Sequence, residues 1–70
     1  MSDKAKRYSR LFRKAGLLLA KGLVSRAVEV FEEGRRVAEQ CGDQAMAALF
    51  AREIEEARRR GRPGDRPSRS

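Results

Sequence analysis

The sequence predicts an all-α fold, with three antiparallel helices followed by a disordered basic tail. Apolar residues recur at spacings of three and four, glycines at positions 22 and 42 interrupt that pattern, and no stretch alternates with the two-residue period of a strand. A chain of 70 residues is long enough for one small domain. We therefore expect a helical domain over residues 1–60 and the tail over residues 61–70.

The first helix is predicted over residues 3–21, because its apolar residues share one face while most of its Lys and Arg residues take the other. Ser2 or Asp3 is suited to cap its start. Gly22 is suited to end it, since glycine adopts the left-handed conformation after a helix without a steric penalty. The apolar stripe consists of Tyr8, Leu11, Phe12, Ala15, Leu18 and Leu19.

The second helix is predicted over residues 25–40, with Ser25 as its N-cap. Residues 22–24 form the connection, and a connection this short makes two helices antiparallel neighbours. Apolar residues cover more than one face of this helix, so we expect it to contact neighbours on two sides. Gly34 is expected to let another backbone come close.

The third helix is predicted over residues 43–60. Gly42 is suited to end the preceding helix, and Asp43 is a favourable N-cap for this one. Its apolar positions repeat at helical spacing and predict a face that packs on the other helices. These positions are Met46, Leu49, Phe50, Ile54 and Ala57.

The end of the third helix and the tail differ in composition. Glu55 and Glu56 precede Arg59 and Arg60 by four residues, which predicts ion pairs on the helix surface. Residues 61–70 contain two Gly, two Pro and no large apolar residue. Such a segment buries too little surface to order itself, which predicts disorder.

The residue types argue against an enzyme and against a cofactor or metal site. Histidine is absent and Cys41 is the one cysteine, so a structural zinc site and a nucleophile–histidine pair both lack their residues. The sequence also has no phosphate-binding loop, dinucleotide fingerprint or calcium loop. We therefore predict a non-enzyme with no small-molecule substrate, and we expect Cys41 to be a small buried hydrophobic residue.

Charge is concentrated at the two ends of the chain. Residues 1–26 hold eight Lys or Arg and one Asp, residues 27–57 hold three Arg and eight Asp or Glu, and residues 58–70 hold six Arg and one Asp. Basic ends attract nucleic acid, anionic lipid or an acidic protein, and they also keep a small protein soluble. The longest apolar run, Ala15–Ala20, is shorter than a signal sequence or a membrane span requires, so we predict a cytoplasmic protein. Tyr8 and Phe12, which a membrane-binding first helix would use, belong to the stripe assigned to the core, so we predict no membrane partner.

The stretch "AKGLVSRAVEVFEEGRRVAEQCGD" resembles the tetratricopeptide repeat, a helix–turn–helix unit of about 34 residues. The resemblance covers about residues 8–57 and makes the third helix the opening helix of a second repeat. It departs from the family at Lys14, where a large apolar residue is usual, and it lacks the tryptophan and the closing proline. The positions that carry it are Leu11, Ala15, Leu18, Gly22, Ala27, Phe31 and Gly34.

The resemblance implies a protein–protein interaction module. In that family the ligand lies against the surface formed by the first helix of each repeat, which here implies contact of an acidic partner segment with Arg7, Arg10, Lys14 and Arg52. Such repeats bury a continuous core by stacking, and about three are normally needed. We therefore expect the chain to associate with itself, as a homodimer or a larger assembly, or with another protein.

Nucleic-acid binding is the alternative function. The basic first helix could contact phosphates, and "RGRP" at positions 60–63 resembles the core of an AT-hook, in which arginines enter the minor groove of DNA. Arg60 and Arg62 are the candidate contacts in that case. A tail that only improves solubility is the simpler interpretation of the same residues.

Overall fold

The computed structural model describes residues 3–61 and forms three helices, which confirms the all-α fold. They are α1 (Asp3–Ala20), α2 (Val24–Gln40) and α3 (Gln44–Gly61), and this part of the chain contains no strand. Each boundary lies within one residue of its predicted position. Gly61, predicted to begin the tail, is the last residue of α3. The predicted disorder of residues 62–70 and the cap at Ser2 lie outside what the structure describes, as does the side chain of Asp3 that would form the alternative cap.

Both turns between helices use a glycine in the left-handed conformation, as predicted, with φ of 81° at Gly22 and 72° at Gly42. At the first turn the amide of Leu23 donates to the carbonyl of Leu18 at 2.8 Å, and the amide of Gly22 donates to that of Leu19 at 2.9 Å. This is the Schellman arrangement, which satisfies carbonyls left free at a helix end.

The second turn repeats the same bonds. The amide of Asp43 donates to Ala38 at 2.8 Å and that of Gly42 donates to Glu39 at 3.1 Å. The residue after each glycine therefore has two tasks, since it completes one helix end and immediately precedes the next helix. Each connection between two helices is therefore short, as expected for antiparallel neighbours.

The N-cap prediction is confirmed for α3 and wrong for α2. Asp43 Oδ1 accepts a hydrogen bond from the amide of Met46 at 3.2 Å, which satisfies one free donor at the start of α3. In α2 the N-cap position is Leu23, which makes no side-chain capping bond, and Ser25 lies inside the helix. The helix starts earlier than predicted because the Schellman turn is complete at Leu23, so Val24 is already helical.

Four aromatic rings from all three helices form the centre of the core. The ring of Phe50 in α3 has no exposed surface and lies 4.8 Å from Phe12, 5.8 Å from Tyr8 and 6.3 Å from Phe31, measured between centroids. Phe12 also meets Phe31 edge to face at 5.7 Å. Such separations are those of attractive aromatic pairs. Phe50 therefore joins α1, α2 and α3 at one point.

The helix α2 packs against both other helices, as its wide apolar arc predicted. Its buried residues are Ala27, Val28, Val30, Phe31, Gly34 and Ala38. The two neighbouring helices cover this arc. Within residues 4–60 the exposed large apolar side chains are Leu17, Leu23 and Leu49, of which none belongs to α2.

At Gly34 the neighbour differs from the predicted one. A Cβ atom at this position would lie 2.9 Å from Cδ1 of Phe50 and closer still to Cε1 and Cζ. The nearest atoms belong to an aromatic ring and not to a backbone. The glycine therefore provides the space for Phe50, although glycine inside a helix costs about 1 kcal/mol relative to alanine.

Two further predictions about individual side chains are wrong. Leu49 is 37% exposed, because Phe50 one position later occupies the core side of α3. Cys41 is exposed rather than buried, because it lies beyond the last residue of α2, in the turn.

The predicted ion pairs between residues four apart at the end of α3 also differ. Arg59 reaches Glu56, three residues earlier, at 3.4 Å, while Arg58 crosses to Glu32 of α2 at 3.0 Å. Within residues 4–60 no pair forms between Glu55 and Arg59 or between Glu56 and Arg60. The spacing of residues within one helix does not predict this outcome, because an arginine can also pair with a carboxylate on a neighbouring helix.

Candidate interaction surfaces

The side of α1 that points away from Tyr8 is strongly basic. We call it the cationic face, and it consists of Lys6, Arg7, Arg10, Arg13, Lys14 and Lys21 at the helix end. All six side chains are exposed, and residues 4–21 contain no acidic residue. None of the six forms an ion pair with a carboxylate of residues 4–60, whereas Arg35, Arg58 and Arg59 all do.

Leu17 lies within the cationic face and is 59% exposed, the largest exposure among the large apolar residues described. It is nine residues from Tyr8, which places it about 180° around the helix from the ring that contacts α3. Sequence analysis missed this residue because it sits inside the run "GLLLA". The signal was its position three residues after Lys14 and four before Lys21, on the basic side.

Two open depressions adjoin this face. One has a volume of about 360 Å³ and is lined by Ala5, Lys6, Ser9, Arg10 and Arg13. The other has a volume of about 350 Å³, lies where α1 meets α2, and is lined by Lys14, Leu18, Arg26, Glu29 and Val30. Neither is enclosed, so the surface is suited to contact with an extended object such as a helix rather than to the burial of a small molecule.

The predicted partner-binding residues do not all share one surface. Arg7, Arg10 and Lys14 lie together on α1 and are exposed. Arg52 is also exposed, but it lies two residues from Phe50, on the opposite side of α3. Tyr8 and Phe50 face each other across the contact between α1 and α3. Arg10 lies on the outer side of α1 and Arg52 on the outer side of α3, so the two arginines point in different directions.

Of the two candidate nucleic-acid contacts, one lies within the described residues and the other does not. Arg60 is exposed in the last turn of α3, next to two arginines already paired with glutamates. Arg62 lies outside the described residues.

A second surface, on α3, combines an exposed leucine with glutamates. Leu49 is 37% exposed, Glu53 is half-buried and the Glu56 side chain is 62% exposed. The spacings of four and three residues put the three side chains on one side of α3. We call this set the acidic stripe. In the acidic stripe the exposed Leu49 is followed by negatively charged side chains. In the cationic face the exposed Leu17 is accompanied by positively charged side chains.

Tyr8 connects the start of α3 to α1. Its hydroxyl donates a hydrogen bond to Asp43 Oδ2 at 3.3 Å. Burial raises the pKa of Tyr8 above the usual value of 10.0, and the negative charge of Asp43 and this hydrogen bond raise it further. The unfolded chain therefore ionises at a lower pH than the folded chain, and the contribution to stability is complete below pH 10.0 and is lost as the pH rises above it.

Replacing Tyr8 with phenylalanine is expected to remove this pH dependence. At about pH 8 the variant should be less stable than the wild type, because the hydrogen bond to Asp43 is gone, and the difference should narrow at about pH 11. Urea unfolding at both pH values, followed by circular dichroism, measures the two differences. The same difference at both values would contradict the assigned environment of the hydroxyl.

Comparison with family models, with curated proteins and with solved structures gave no match. Among residues 3–61 no helix combines the length and apolar character needed to cross a bilayer. The same residues contain no cluster of three or more acidic, cysteine or histidine side chains arranged to hold a metal ion. Any functional assignment consequently depends on the surfaces described above.

Proposed function

We propose that the chain is a non-enzymatic protein interaction module that binds an acidic helical surface through the cationic face of α1. The observation that carries this proposal is the set of six exposed cations without a carboxylate partner in residues 4–60. Leu17, between Lys14 and Lys21 on the same side of α1, adds an apolar contact beside these charges. An apolar residue surrounded by complementary charge is typical of protein interfaces, where the charges orient the partner and the apolar contact adds affinity.

Similarity to a tetratricopeptide repeat hairpin supports the same proposal. Ala15 and Ala27 have no exposed surface, Phe31 is buried, and Gly34 makes room for a ring, which is compatible with the packing roles that the resemblance assigns to these residues. Leu18 is half-buried and Gly22 provides the turn. A unit of this kind normally works by contact with neighbouring helices, and self-association is the form of contact that needs no additional partner.

A charge-reversal pair tests the proposed function. We expect Arg10→Glu with Lys14→Glu to weaken binding of a synthetic peptide, a helix with glutamates around one leucine, by about tenfold or more, because two attractions become repulsions. Arg36→Glu with Arg52→Glu, at exposed positions outside the cationic face, changes the net charge equally and is the matched control. Fluorescence anisotropy of the labelled peptide measures both, and equal losses would show that binding depends on net charge alone.

Nucleic-acid binding is the second candidate, because cations without a carboxylate partner among residues 4–60 also attract phosphates. Relative affinity and salt dependence distinguish the two functions, because the charge reversals would weaken both kinds of binding. If a duplex DNA of about 20 base pairs binds more tightly than the peptide, and its affinity falls steeply between about 50 and about 300 mM salt, the nucleic-acid function is favoured. A protein partner that also contacts Leu17 should show a weaker salt dependence and should respond to Leu17→Gln.

A further inference from the structure

The cationic face of α1 and the acidic stripe of α3 belong to the same chain but cannot meet within it. Tyr8 and Phe12, which contact Phe50 of α3, lie on the side of α1 opposite to Leu17. Leu17 therefore points away from α3. Leu49 points away from the core ring of Phe50 by about 100° around α3. Both surfaces are therefore free to contact a second copy.

We propose that the cationic face of one copy docks on the acidic stripe of a second copy, with Leu17 against Leu49. This inference rests on the proposed function and names the acidic helical surface as one that the chain itself carries. In the docked pair α1 and the partner's α3 run antiparallel, and Arg10 and Lys14 face glutamates.

The spacing of the charges fits this arrangement. Arg10 lies seven residues before Leu17, and Glu56 lies seven residues after Leu49, so both charges are about 10 Å from their leucine along the helix. Lys14 lies three residues before Leu17, and Glu53 lies four residues after Leu49. With the two helices antiparallel and the leucines in register, each cation meets a carboxylate. In the parallel orientation the glutamates would be opposite the segment after Leu17, where Lys21 is the one cation of residues 18–24.

The contact has a limit in each direction along the helices. Eleven residues from the leucines, Lys6 of α1 would meet Arg60 of α3, and these like charges repel. In the other direction Lys21 meets Ala45, which is neutral. The attractive overlap therefore covers about two helical turns, and an interface of this size predicts weak association that depends on concentration.

The existing ion pair at Glu56 does not prevent this contact. Arg59 approaches Glu56 at 3.4 Å, and both side chains are more than half exposed, so the pair contributes little to stability. The Glu56 side chain can turn to Arg10 of the second copy at little cost. Leu17 and Leu49 become covered at the same time, which removes two of the three exposed large apolar side chains of residues 4–60 from water.

Because the two docking surfaces differ, one contact leaves a free surface of each kind. Leu17 points away from α3, so the two surfaces do not face the same way, and successive copies can associate as an open chain. In such a chain α1 of one copy lies beside α3 of another, so the array of alternating helices continues across copies as it does between neighbouring repeats.

Complementary charge reversals test the proposal. One variant carries Arg10→Glu and Lys14→Glu, and the other carries Glu53→Lys and Glu56→Lys. Light scattering after size-exclusion chromatography measures the mass from about 10 to about 500 µM. We expect the wild type to gain mass with concentration, each variant alone to stay at the mass of one chain, and the equimolar mixture to recover association, because opposite charges face each other again in both contacts.

Exposed leucines provide the matched pair for the apolar part of the contact. Leu17→Gln is expected to reduce association about tenfold, whereas Leu23→Gln, in the turn and outside both surfaces, should leave it nearly unchanged. Circular dichroism establishes that every variant keeps its helix content. The wild type at single-chain mass throughout, association unaffected by the reversals, or no recovery in the mixture would each overturn the proposal.

Failure of this proposal is distinguishable from failure of the proposed function. If the wild type stays at single-chain mass while the acidic peptide binds and requires Arg10 and Lys14, the acidic surface belongs to another protein and the interaction function stands. If the peptide binding is also insensitive to those two residues, both proposals fail.

Discussion

Replacing Phe50 with alanine is expected to lower the free energy of unfolding by about 3 to 5 kcal/mol, the range for deleting a large buried aromatic side chain. Phe50 has no exposed surface, and its ring is shared by Tyr8, Phe12 and Phe31 from the other two helices. A domain of this size is stabilised by only about 5 kcal/mol or slightly more. The variant should therefore retain at most about 2 kcal/mol of that stability, so its urea transition should begin at a much lower urea concentration than that of the wild type.

The measurement is urea unfolding followed by circular dichroism at 222 nm, with the wild type and Leu23→Ala beside the Phe50 variant. Leu23 is 42% exposed, so its truncation should cost less than about 1 kcal/mol. A Phe50 variant that unfolds at the same urea concentration as the Leu23 variant would show that the ring is not central to the core.

Replacing Gly34 with alanine is expected to destabilise the protein by about 1 to 3 kcal/mol, although alanine is intrinsically the better helix former by about 1 kcal/mol. The added methyl group would overlap the ring of Phe50. That ring cannot move aside, because rings from α1 and α2 surround it. The energetic cost of overpacking therefore exceeds the gain in helix propensity, so the substitution destabilises the protein instead of stabilising it.

Gly16 provides the matched control for this prediction. It is also inside a helix, but it is exposed and a Cβ atom there would have no neighbour within 4 Å. Gly16→Ala should stabilise the protein by about 0.5 to 1 kcal/mol, so the two glycine variants should shift the thermal midpoint in opposite directions. Adding Phe50→Leu to Gly34→Ala should recover part of the loss. Stabilisation by both alanine substitutions would contradict the close contact at Gly34.

The sequence was informative where a residue type has one dominant physical role. Gly22 and Gly42 were recognised as helix ends because they tolerate positive φ, and Asp43 was recognised as a cap because its short carboxylate reaches a free amide. Ser25 was mistaken for a cap because serine is equally suited to that role. The position is decided by the turn, and counting one residue past the glycine at both turns would have selected positions 23 and 43.

The candidate surfaces were only partly predictable for a related reason. Periodicity along α1 identified its basic side and hence Arg7, Arg10 and Lys14, but it did not show that Leu17 stands exposed among them. It also could not show that Arg52 points elsewhere, because the relation between two helices depends on which side chains meet between them. That relation is set by Phe50, whose space at Gly34 becomes evident only when both helices are placed together.

The position of Tyr8 gives the protein an optical reporter of its own. The chain has one tyrosine and no tryptophan, so its tyrosine fluorescence arises from a single ring on α1 that rests against α3. Emission therefore records whether α1 is docked, while circular dichroism records helix content in all three segments. Coincident curves from the two signals would indicate cooperative unfolding of the whole domain, and an earlier change in emission would reveal release of α1 ahead of the other two helices.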